Sequence, residues 1–355
     1  MSDSIQTAVI GVTGYAGAEL ARLLLHHPRL KGKAPVFAGR VEQKDLARGG
    51  VPLVEIHPQL AGSNGTGKLM QEPFSWELLA ERGVDVLFLA TPHEQSREWV
   101  PEALARGLRV IDLSGAWRLT DAVNRAVYAF ADEGSEQATT IQAQAVYGMP
   151  ELHRSRIAGA RLIANPGCYS TTVILAVRPL VAAGIVDLEH GIVADAKSGV
   201  SGAGKAPTAK THFMYAADNL SAYGAFTHRH TGELLEQIGL AAGDIVFTPH
   251  LLPIPRGILA TIYLRFKEPQ TREGVARIYH EFFAGSPLVR IYDKALPQIQ
   301  YVVRTSYADI GFQLDASGRR AVVVSCLDNL LKGASSQAVQ NLNVMMGWPE
   351  SEGLE

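Results

Sequence analysis

The chain has 355 residues, 47% of them hydrophobic and 19% charged, which is typical of a globular protein with a well-filled core. Its 33 basic and 35 acidic residues leave a formal net charge of -2, so there is no electrostatic reason to expect nucleic acid or an anionic membrane as a partner. Two cysteines make neither a disulfide framework nor a thiolate metal site, and no signal segment or membrane-length apolar run is present, so we expect a cytoplasmic protein with reduced thiols.

The first part of the chain alternates between strand and helix patterns. Apolar strands that lack a polar face are typical of a parallel sheet covered by helices, and a strand, a helix and a strand within about 35 residues have the size of a βαβ unit. We therefore predict a doubly wound, Rossmann-type α/β domain over residues 1–164. Its predicted elements are strands at 7–12, 34–40, 84–90 and 108–114 and helices at 18–25 and 95–106.

The second part of the chain changes character, because strands follow one another with few helices between them. This pattern predicts an α+β domain over residues 165–327, built on a mixed, largely antiparallel sheet. The segment 334–347 is helical in pattern, and we expect residues 328–355 to pack back on the first domain. The predicted strands are 190–199, 244–252, 257–266, 307–314 and 321–326, and the clearest helix is 274–285.

A glycine-rich loop lies at the first predicted strand–helix turn. It reads G-x-x-G-x-x-G, which departs from the usual G-x-G-x-x-G spacing. Glycines let the backbone approach a pyrophosphate, and the N–H groups of the following helix hold its negative charge, although glycines in such turns also serve purely steric needs. The position of the loop predicts a dinucleotide site formed by Gly11, Thr13, Gly14, Tyr15, Ala16 and Gly17.

The end of the second predicted strand bears on the choice of cofactor. Sites for NAD place Asp or Glu there to accept a hydrogen bond from the ribose 2′-hydroxyl, whereas this strand ends in Arg40. An arginine can pair with a 2′-phosphate, so NADP(H) is predicted. The alternative is a solvated surface arginine.

Three motifs are incomplete. The segment 199–205 fits the G-x-x-x-x-G-K of a P-loop, but Ala206 stands where Ser or Thr is needed for magnesium, so we predict a mobile glycine-rich loop instead. An H-E-x-x-H motif fails because Arg97 occupies the position of its second histidine. His228 and His230 stand at strand spacing but lack further ligands for zinc, so no metal site is predicted.

Cys168 opens an apolar segment with helical character. Pro166-Gly167 predicts a turn and residues 169–177 a helix, which places the thiol in the first helical turn, where the helix dipole stabilises a thiolate. A thiolate attacks acyl groups while a nearby histidine exchanges the proton. Cys326, within a strand-like run, has none of these features. On these residues alone, Cys168 is either a nucleophile or a buried helix residue.

These motifs together resemble the N-acetyl-gamma-glutamyl-phosphate reductase family of arginine biosynthesis. The similarity spans nearly the whole chain and includes GVTGYAGAEL at the start, DLS…RL at 112–119, YGMPE at 147–151, NPGCY at 165–169, SGVSGAGK at 198–205, HRH at 228–230, FTPHLLPIPRGIL at 247–259 and LDNLLKGASSQAVQNLN at 327–343. The occurrence of all these motifs in this order is highly specific to that family. Glu94 departs from the usual glycine, and Gly232 replaces a common proline.

The resemblance implies a reaction and further site residues. Cys168 would attack a small-molecule acyl phosphate, and NADPH would reduce the resulting thioester to a semialdehyde. His228 and His230 would be the catalytic and substrate-binding imidazoles. Side chains at i and i+2 of an extended segment point to the same face, so both imidazoles could reach one pocket. We favour His228 as the proton carrier. Further cofactor contacts would be Pro92, Ser198, Gly199 and Asn329, and substrate contacts would be Arg118, Asn165, Ser201 and Gly202.

Several alternatives stay open at this point. Arg118 is a candidate for holding the leaving phosphate or belongs to a surface ion pair. The substrate is alternatively aspartyl phosphate or carrier-linked aminoadipyl phosphate, since reductases of both share the architecture. A non-catalytic NADP-binding regulator would lack the cysteine or both histidines, and this chain has all three. The family implies a homodimer or homotetramer.

Overall fold

The computed structural model describes residues 5–62 and 66–355. The chain divides into two compact units. The first unit comprises the described residues up to Arg118 together with Phe130–Asn165 and Ser335–Glu355, and the second comprises Leu119–Ala129 and Pro166–Ala334. Each unit is built around one sheet. Among the described residues, no helix combines the length and apolar character needed to cross a bilayer.

The sheet of the first unit has eight strands in the order β3-β4-β2-β1-β5-β6-β8-β7. These are β1 Thr7–Ile10, β2 Val36–Gly39, β3 Val51–Pro52, β4 Met70–Pro73, β5 Val86–Leu89, β6 Arg109–Asp112, β7 Ala145–Tyr147 and β8 Leu162–Ala164. All neighbours are parallel except the pair β3 and β4. Every residue of β1 and β5 is buried, as strands covered on both faces require. The predicted doubly wound α/β domain is confirmed.

The helices of the first unit lie between these strands and at the end of the chain. They are α1 Tyr15–His26, α2 Gln43–Leu46, α3 Leu53–Ile56, α4 Trp76–Glu81, α5 His93–Ala105, α7 Glu136–Gln144, α8 Pro150–Ile157 and α14 Ser336–Met346. The C-terminal helix α14 packs on α1 and α8 within this unit. The predicted helical segment 334–347 contains α14 and so agrees with the structure.

The sheet of the second unit has seven strands in the order β10-β11-β9-β12-β15-β14-β13. They are β9 Ile192–Gly199, β10 Ser221–Ala222, β11 Ile245–Leu252, β12 Ile258–Arg265, β13 Val289–Tyr292, β14 Ala308–Leu314 and β15 Arg320–Leu327. The pairs β9–β11 and β13–β14 are parallel and the other four pairs are antiparallel, which confirms the predicted mixed sheet. Its helices are α6 Ala122–Arg125, α9 Cys168–Ala182, α10 Phe213–Ala216, α11 Thr231–Ile238, α12 Arg272–Phe282 and α13 Ile299–Val302.

One face of this second sheet is covered by α9. The other, here called the open face, is covered by α13 at Val324 and Cys326 of β15 and exposed at Tyr263 of β12. Residues alternate between buried and partly or fully exposed along β9 and β12, and the long helix α9 packs on β12 and β15. The period of two follows from the pleat of a strand, which directs successive side chains to opposite faces. The start of α9 is thereby fixed by a rigid core.

The units differ in two places from the predicted domain limits of 1–164 and 165–327. Leu119–Ala129 belong to the second unit, where Glu236 of α11 accepts hydrogen bonds from Thr120 and Asn124. The chain rejoins the first unit at Ser335, and Asp328, which forms an ion pair of 3.1 Å with Arg256, still belongs to the second unit.

Candidate active site

The nucleophile candidate lies where sequence analysis expected it. Cys168 is the first residue of α9, a helix of 15 residues, and its side chain is half-buried. Gly167 is the N-cap, with φ of -73° and ψ of 148°. A thiol at this position faces the positive end of the helix dipole, which stabilises the thiolate that attacks acyl carbon.

The glycine before the cysteine has a steric cause. A Cβ atom on Gly167 would lie 2.5 Å from Nε2 of His230 and 2.8 Å from Oε1 of Glu233. Both distances are shorter than carbon makes with such atoms without displacement, so the imidazole and the carboxylate pack directly on the backbone that precedes Cys168. This explains the Pro-Gly-Cys sequence at the helix start.

Glu233 also lies at this helix start, and the sequence alone gave it no role. Its side chain is fully buried, its Oε2 accepts the Gly167 backbone N–H at 2.9 Å, and its Oε1 lies 4.0 Å from His230 Nε2. The carboxylate therefore links the catalytic helix start to an imidazole. The only sequence signal was its spacing, three residues after His230, which places both on one face at the start of α11.

The prediction of an extended HRH segment is wrong. Residues 225–230 form turns that lead into α11, and His230 has helical angles, with φ of -77° and ψ of -12°. The two imidazole rings still meet, with centroids 4.7 Å apart, and Arg229 is exposed. Nδ1 of His228 accepts the backbone N–H of His230 at 3.2 Å. This local hydrogen bond closes a turn, and it would not form in an extended strand.

The environment of His228 keeps its ring neutral. Its ring packs against Tyr169, Tyr223 and Phe247, with centroid distances of 5.7, 5.6 and 5.5 Å. Burial and, to a smaller extent, the positive charge of Arg229 lower the pKa of His228 to about 4, although the negative charge of Glu233 opposes both. Because Nδ1 accepts a backbone hydrogen bond, the neutral ring carries its proton on Nε2 and acts as a donor there.

A buried tyrosine, Tyr169, and a half-buried one, Tyr223, lie beside the imidazoles. The hydroxyl of Tyr169 donates to the backbone oxygen of His250 at 2.7 Å, and the hydroxyl of Tyr223 donates to that of Tyr169 at 3.4 Å. Burial raises the pKa of both phenols, so both stay neutral. Neither tyrosine had been given a role from sequence, since nothing in the order of residues shows that they meet.

A second glycine packs on Cys168. Gly333 lies in a π-helical turn, Leu331–Ser335, and a Cβ on it would be 2.7 Å from Cβ of Cys168. Single π-helical turns are frequent at functional sites. The resemblance gave Asn329 a role in this part of the chain but did not single out Gly333.

Other predicted residues of the second unit gather at the end of β9. Asn329 donates from Nδ2 to Oγ of Ser201 at 2.9 Å, and its Oδ1 accepts the Gly257 N–H at 2.8 Å. A Cβ on Gly202 would lie 2.8 Å from Oγ of Ser198. The structure thus brings together Ser198, Gly199, Ser201, Gly202 and Asn329. A 3₁₀ turn, not an α-helix, follows β9, so this segment lacks the shape of a P-loop. No group of three or more His, Cys, Asp or Glu among the described residues is placed to hold a metal ion.

The first unit contains a cavity of about 500 Å³ at the glycine loop. Gly11 has φ of +93°, and a Cβ there would lie 2.3 Å from the backbone oxygen of Ala90, so the turn requires glycine. A Cβ on Gly17 would similarly lie 2.2 Å from the Gly11 oxygen. Tyr15, Ala16 and Gly17 follow in the first turn of α1. The predicted residues that line the cavity are Gly11, Thr13, Gly14, Arg40 and Pro92. This narrow, glycine-lined loop at a helix start fits the pyrophosphate of a nicotinamide dinucleotide.

Arg118 and Asn165 lie together in the first unit. Arg118 is buried, and its guanidinium donates from Nε to the Asn165 oxygen at 2.7 Å and from Nη2 to the Leu113 oxygen at 2.8 Å. Asn165 Oδ1 accepts from Nδ2 of Asn341 at 3.0 Å. These bonds make Arg118 a clamp on two backbone carbonyls rather than a member of a surface ion pair. Its contact with phosphate stays a prediction.

Comparison with known families agrees with the two units. Residues 6–160 match the family model described as semialdehyde dehydrogenase, NAD binding domain, and residues 168–329 match semialdehyde dehydrogenase, dimerisation domain. Among solved structures, aspartate semialdehyde dehydrogenase II of Vibrio cholerae is similar with a TM-score of 0.70 at 18% identity, over 97% of this chain and 98% of that one. A Candida albicans aspartate semialdehyde dehydrogenase with NADP has a TM-score of 0.68 at 16% identity, over 98% and 99%. At such identities the likeness concerns the fold.

Relatives with higher sequence identity show which family within this class the chain belongs to. N-acetyl-gamma-glutamyl-phosphate reductases are 42% identical in Symbiobacterium thermophilum and 43% identical in Desulfotalea psychrophila, over 99% of this chain and 97% and 98% of theirs. The relative of the same name from Methanocaldococcus jannaschii is 40% identical over 98% of this chain and 97% of its own. The fold and the cysteine site therefore define a phosphorylating semialdehyde dehydrogenase. Within that class, the chain belongs to the N-acetyl-gamma-glutamyl-phosphate reductase family.

Proposed function

We propose that this enzyme reduces N-acetyl-gamma-glutamyl phosphate with NADPH to N-acetylglutamate semialdehyde and phosphate, a step of arginine biosynthesis. The observation that carries the proposal is the packing of His230 and Glu233 on the backbone directly before Cys168, at the start of α9. Full-length relatives about 40% identical carry the name of this reaction. An acyl phosphate suits this site, because a thiolate displaces its phosphate to give a thioester.

The reaction begins and ends on Cys168. Its thiolate attacks the γ-acyl carbon, the bond from that carbon to the phosphate oxygen breaks, and phosphate leaves with the bonding electrons. When bound, the nicotinamide cofactor supplies the hydride that reduces the thioester carbon. The hemithioacetal then loses its C–S bond, which releases the aldehyde and returns the thiolate. The N–H groups in the first turn of α9 stabilise the oxyanion, with the exception of Gly167 N–H, which Glu233 already accepts.

We assign proton transfer to His230 and substrate orientation to His228. His230 packs on the residue before Cys168 and has the Glu233 carboxylate 4.0 Å from Nε2, so a negative charge faces the ring that we expect to exchange protons. His228, with a pKa of about 4, is a poor acid–base group at neutral pH, but its Nε2–H is a fixed hydrogen-bond donor. This reverses the preference for His228 that sequence analysis suggested.

Cofactor preference and assembly complete the proposal. Arg40 at the end of β2 pairs with the 2′-phosphate and favours NADP(H). A homodimer forms through the open face of the second sheet, in the segment that matches a dimerisation domain. The nucleophilic thiol requires a reducing compartment, which supports a cytoplasmic location.

The deciding experiment compares substrates in the reverse direction. Purified protein is assayed for phosphate-dependent reduction of NADP⁺ with N-acetylglutamate semialdehyde, aspartate semialdehyde and the carrier-linked aminoadipate semialdehyde. The highest kcat/KM is expected for N-acetylglutamate semialdehyde. A higher kcat/KM for either of the others would replace the proposed substrate and leave the thioester mechanism in place.

A further inference from the structure

A buried histidine that the reaction does not use lies against the glycine loop. His57 follows α3 and is only 8% exposed. Its Nε2 lies 2.6 Å from the backbone oxygen of Val12, and the amide nitrogen of Gln59 lies 3.5 Å from its Nδ1. Because a carbonyl oxygen only accepts, His57 donates its Nε2–H to Val12.

Val12 belongs to the central peptide of a tight turn. The Gly14 N–H donates to the Gly11 oxygen at 3.1 Å, which closes a four-residue turn from Gly11 to Gly14. In such turns the peptide between the second and third residues takes one of two orientations, which distinguish type I from type II turns. Type II requires a positive φ at the third residue, and Thr13 is not among the non-glycine residues with positive φ in the described part of the chain, so this turn has the type I orientation.

The contact with His57 holds the Val12–Thr13 peptide in that orientation. In a planar trans peptide the carbonyl of Val12 and the N–H of Thr13 point in opposite directions, and the described residues contain no cis peptide. Val12 is fully buried, whereas Thr13 is exposed and lines the cavity. Holding the Val12 oxygen on the buried side therefore turns the Thr13 N–H towards the cavity.

We propose that His57 is a positioning residue for the cofactor, which fixes the Val12–Thr13 peptide so that the Thr13 N–H donates to the diphosphate. The inference rests on the cofactor role proposed for this loop. Because the diphosphate is common to NADH and NADPH, His57 acts on both cofactors equally. Arg40, in contrast, acts on NADPH alone. His57 thus affects affinity without affecting the chemistry at Cys168.

The test compares two near-isosteric variants. His57→Gln retains an N–H donor and His57→Met does not. We expect His57→Met to weaken NADPH and NADH by the same factor of about ten, the usual effect of one hydrogen bond to a buried carbonyl, and His57→Gln to bind both within about threefold of wild type. Dissociation constants from fluorescence titration give these values, and kcat at saturating NADPH should be unchanged for both variants.

Two controls separate positioning from loss of structure. His27→Met removes another buried histidine of the same unit, which among the described residues makes no hydrogen bond to the glycine loop: its Nε2 lies 2.9 Å from Oδ1 of Asn343. This variant should leave both affinities unchanged. Arg40→Ala should weaken NADPH alone. The inference is overturned if His57→Met and His57→Gln bind alike, or if His27→Met weakens binding as much as His57→Met. A wild-type protein that binds neither nucleotide would overturn the proposed function itself.

Discussion

Thiol reactivity depends on access and on stabilisation of the thiolate, and the two cysteines differ in both. Cys168 is half-buried at a helix start, whereas Cys326 is fully buried, and burial, together with the charge of Asp309, raises its pKa to about 12. We expect iodoacetamide at neutral pH to label Cys168 much faster, as peptide mapping will show. Cys168→Ser should abolish reduction while NADPH still binds, because a hydroxyl is the weaker nucleophile. Equal labelling, or an active serine variant, would refute the assignment.

The two histidines should respond differently to the same substitution. We expect His230→Asn to lower kcat by about 10²–10⁴, the usual range for a general acid–base group. His228→Asn removes an oriented donor and should act mainly on KM for the acyl substrate. Steady-state kinetics of both variants decide the matter. The opposite pattern would return proton transfer to His228.

The lowered pKa of His228 also predicts a dependence of stability on pH. The folded-state pKa is about 4 and the ordinary value is 6.5, so the unfolded chain binds this proton more readily than the folded protein between those values. Stability from the neutral ring is complete above pH 6.5 and decreases as the pH falls towards 4, by about 3 kcal/mol in total.

Chemical denaturation at pH 7.5 and 4.5 measures this effect. The free energy of unfolding should decrease more on acidification for wild type than for His228→Asn, which has no group to titrate there. The same decrease in both proteins would show that His228 is not held neutral by the fold.

At the scale of single elements, the π-helical turn Leu331–Ser335 packs against Cys168 through Gly333. We expect Gly333→Ala to lower kcat strongly, because its Cβ would lie 2.7 Å from Cβ of Cys168 and must displace the thiol or the turn. Gly243→Ala is the matched control in the same unit, since a Cβ there meets nothing within 4 Å. Kinetics and thermal denaturation of both variants test this. If Gly333→Ala were as active as Gly243→Ala, the turn would have no part in placing Cys168.

Elements whose structure follows from their own local residue pattern could be predicted from the sequence. The apolar runs of β1, β5 and β15 and the Pro-Gly start of α9 required no knowledge of distant residues. The two-residue strands β3 and β10 carry too few residues for a pattern. The turn at the HRH triplet was missed because a side chain-to-backbone bond, Nδ1 of His228 to the N–H of His230, overrides the extended spacing. Glu233 reaches the site through the packing of α11 on α9, a tertiary contact with only a weak local signal.

At the scale of the whole chain, the return of the C-terminus was predictable but the unit limits were not. Helix α14 has many apolar residues, which predicts that it packs against a domain rather than facing solvent. It also carries buried Gln337 and Asn341, whose side-chain amides donate to the Gly148 oxygen at 3.0 and 2.8 Å. These bonds tie the helix to the first unit. The placement of residues 119–129 depends on hydrogen bonds to Glu236, more than a hundred residues later in the chain, which no local pattern encodes.

The open face of the second sheet predicts how copies of the chain assemble. Tyr263 of β12 lies opposite Val193 of β9 and Val322 of β15, and Tyr263 and Val193 are 48% and 42% exposed. These three residues line a cavity of about 520 Å³ and form an apolar patch on this face, beside the part that α13 covers at Val324 and Cys326. Apolar patches of this kind mark interfaces, and a stable one buries about 800 Å² per partner.

We therefore expect wild type to be at least a dimer at micromolar concentration, and Tyr263→Glu to dissociate it, because a carboxylate at the centre of the patch would be buried without a partner. Light scattering coupled to size-exclusion chromatography measures the mass. Leu46→Glu is the control, since Leu46 is 41% exposed on α2 of the other unit and its replacement should leave the mass unchanged. A monomeric wild type, or a Tyr263→Glu variant with the mass of wild type, would show that this face does not join the subunits.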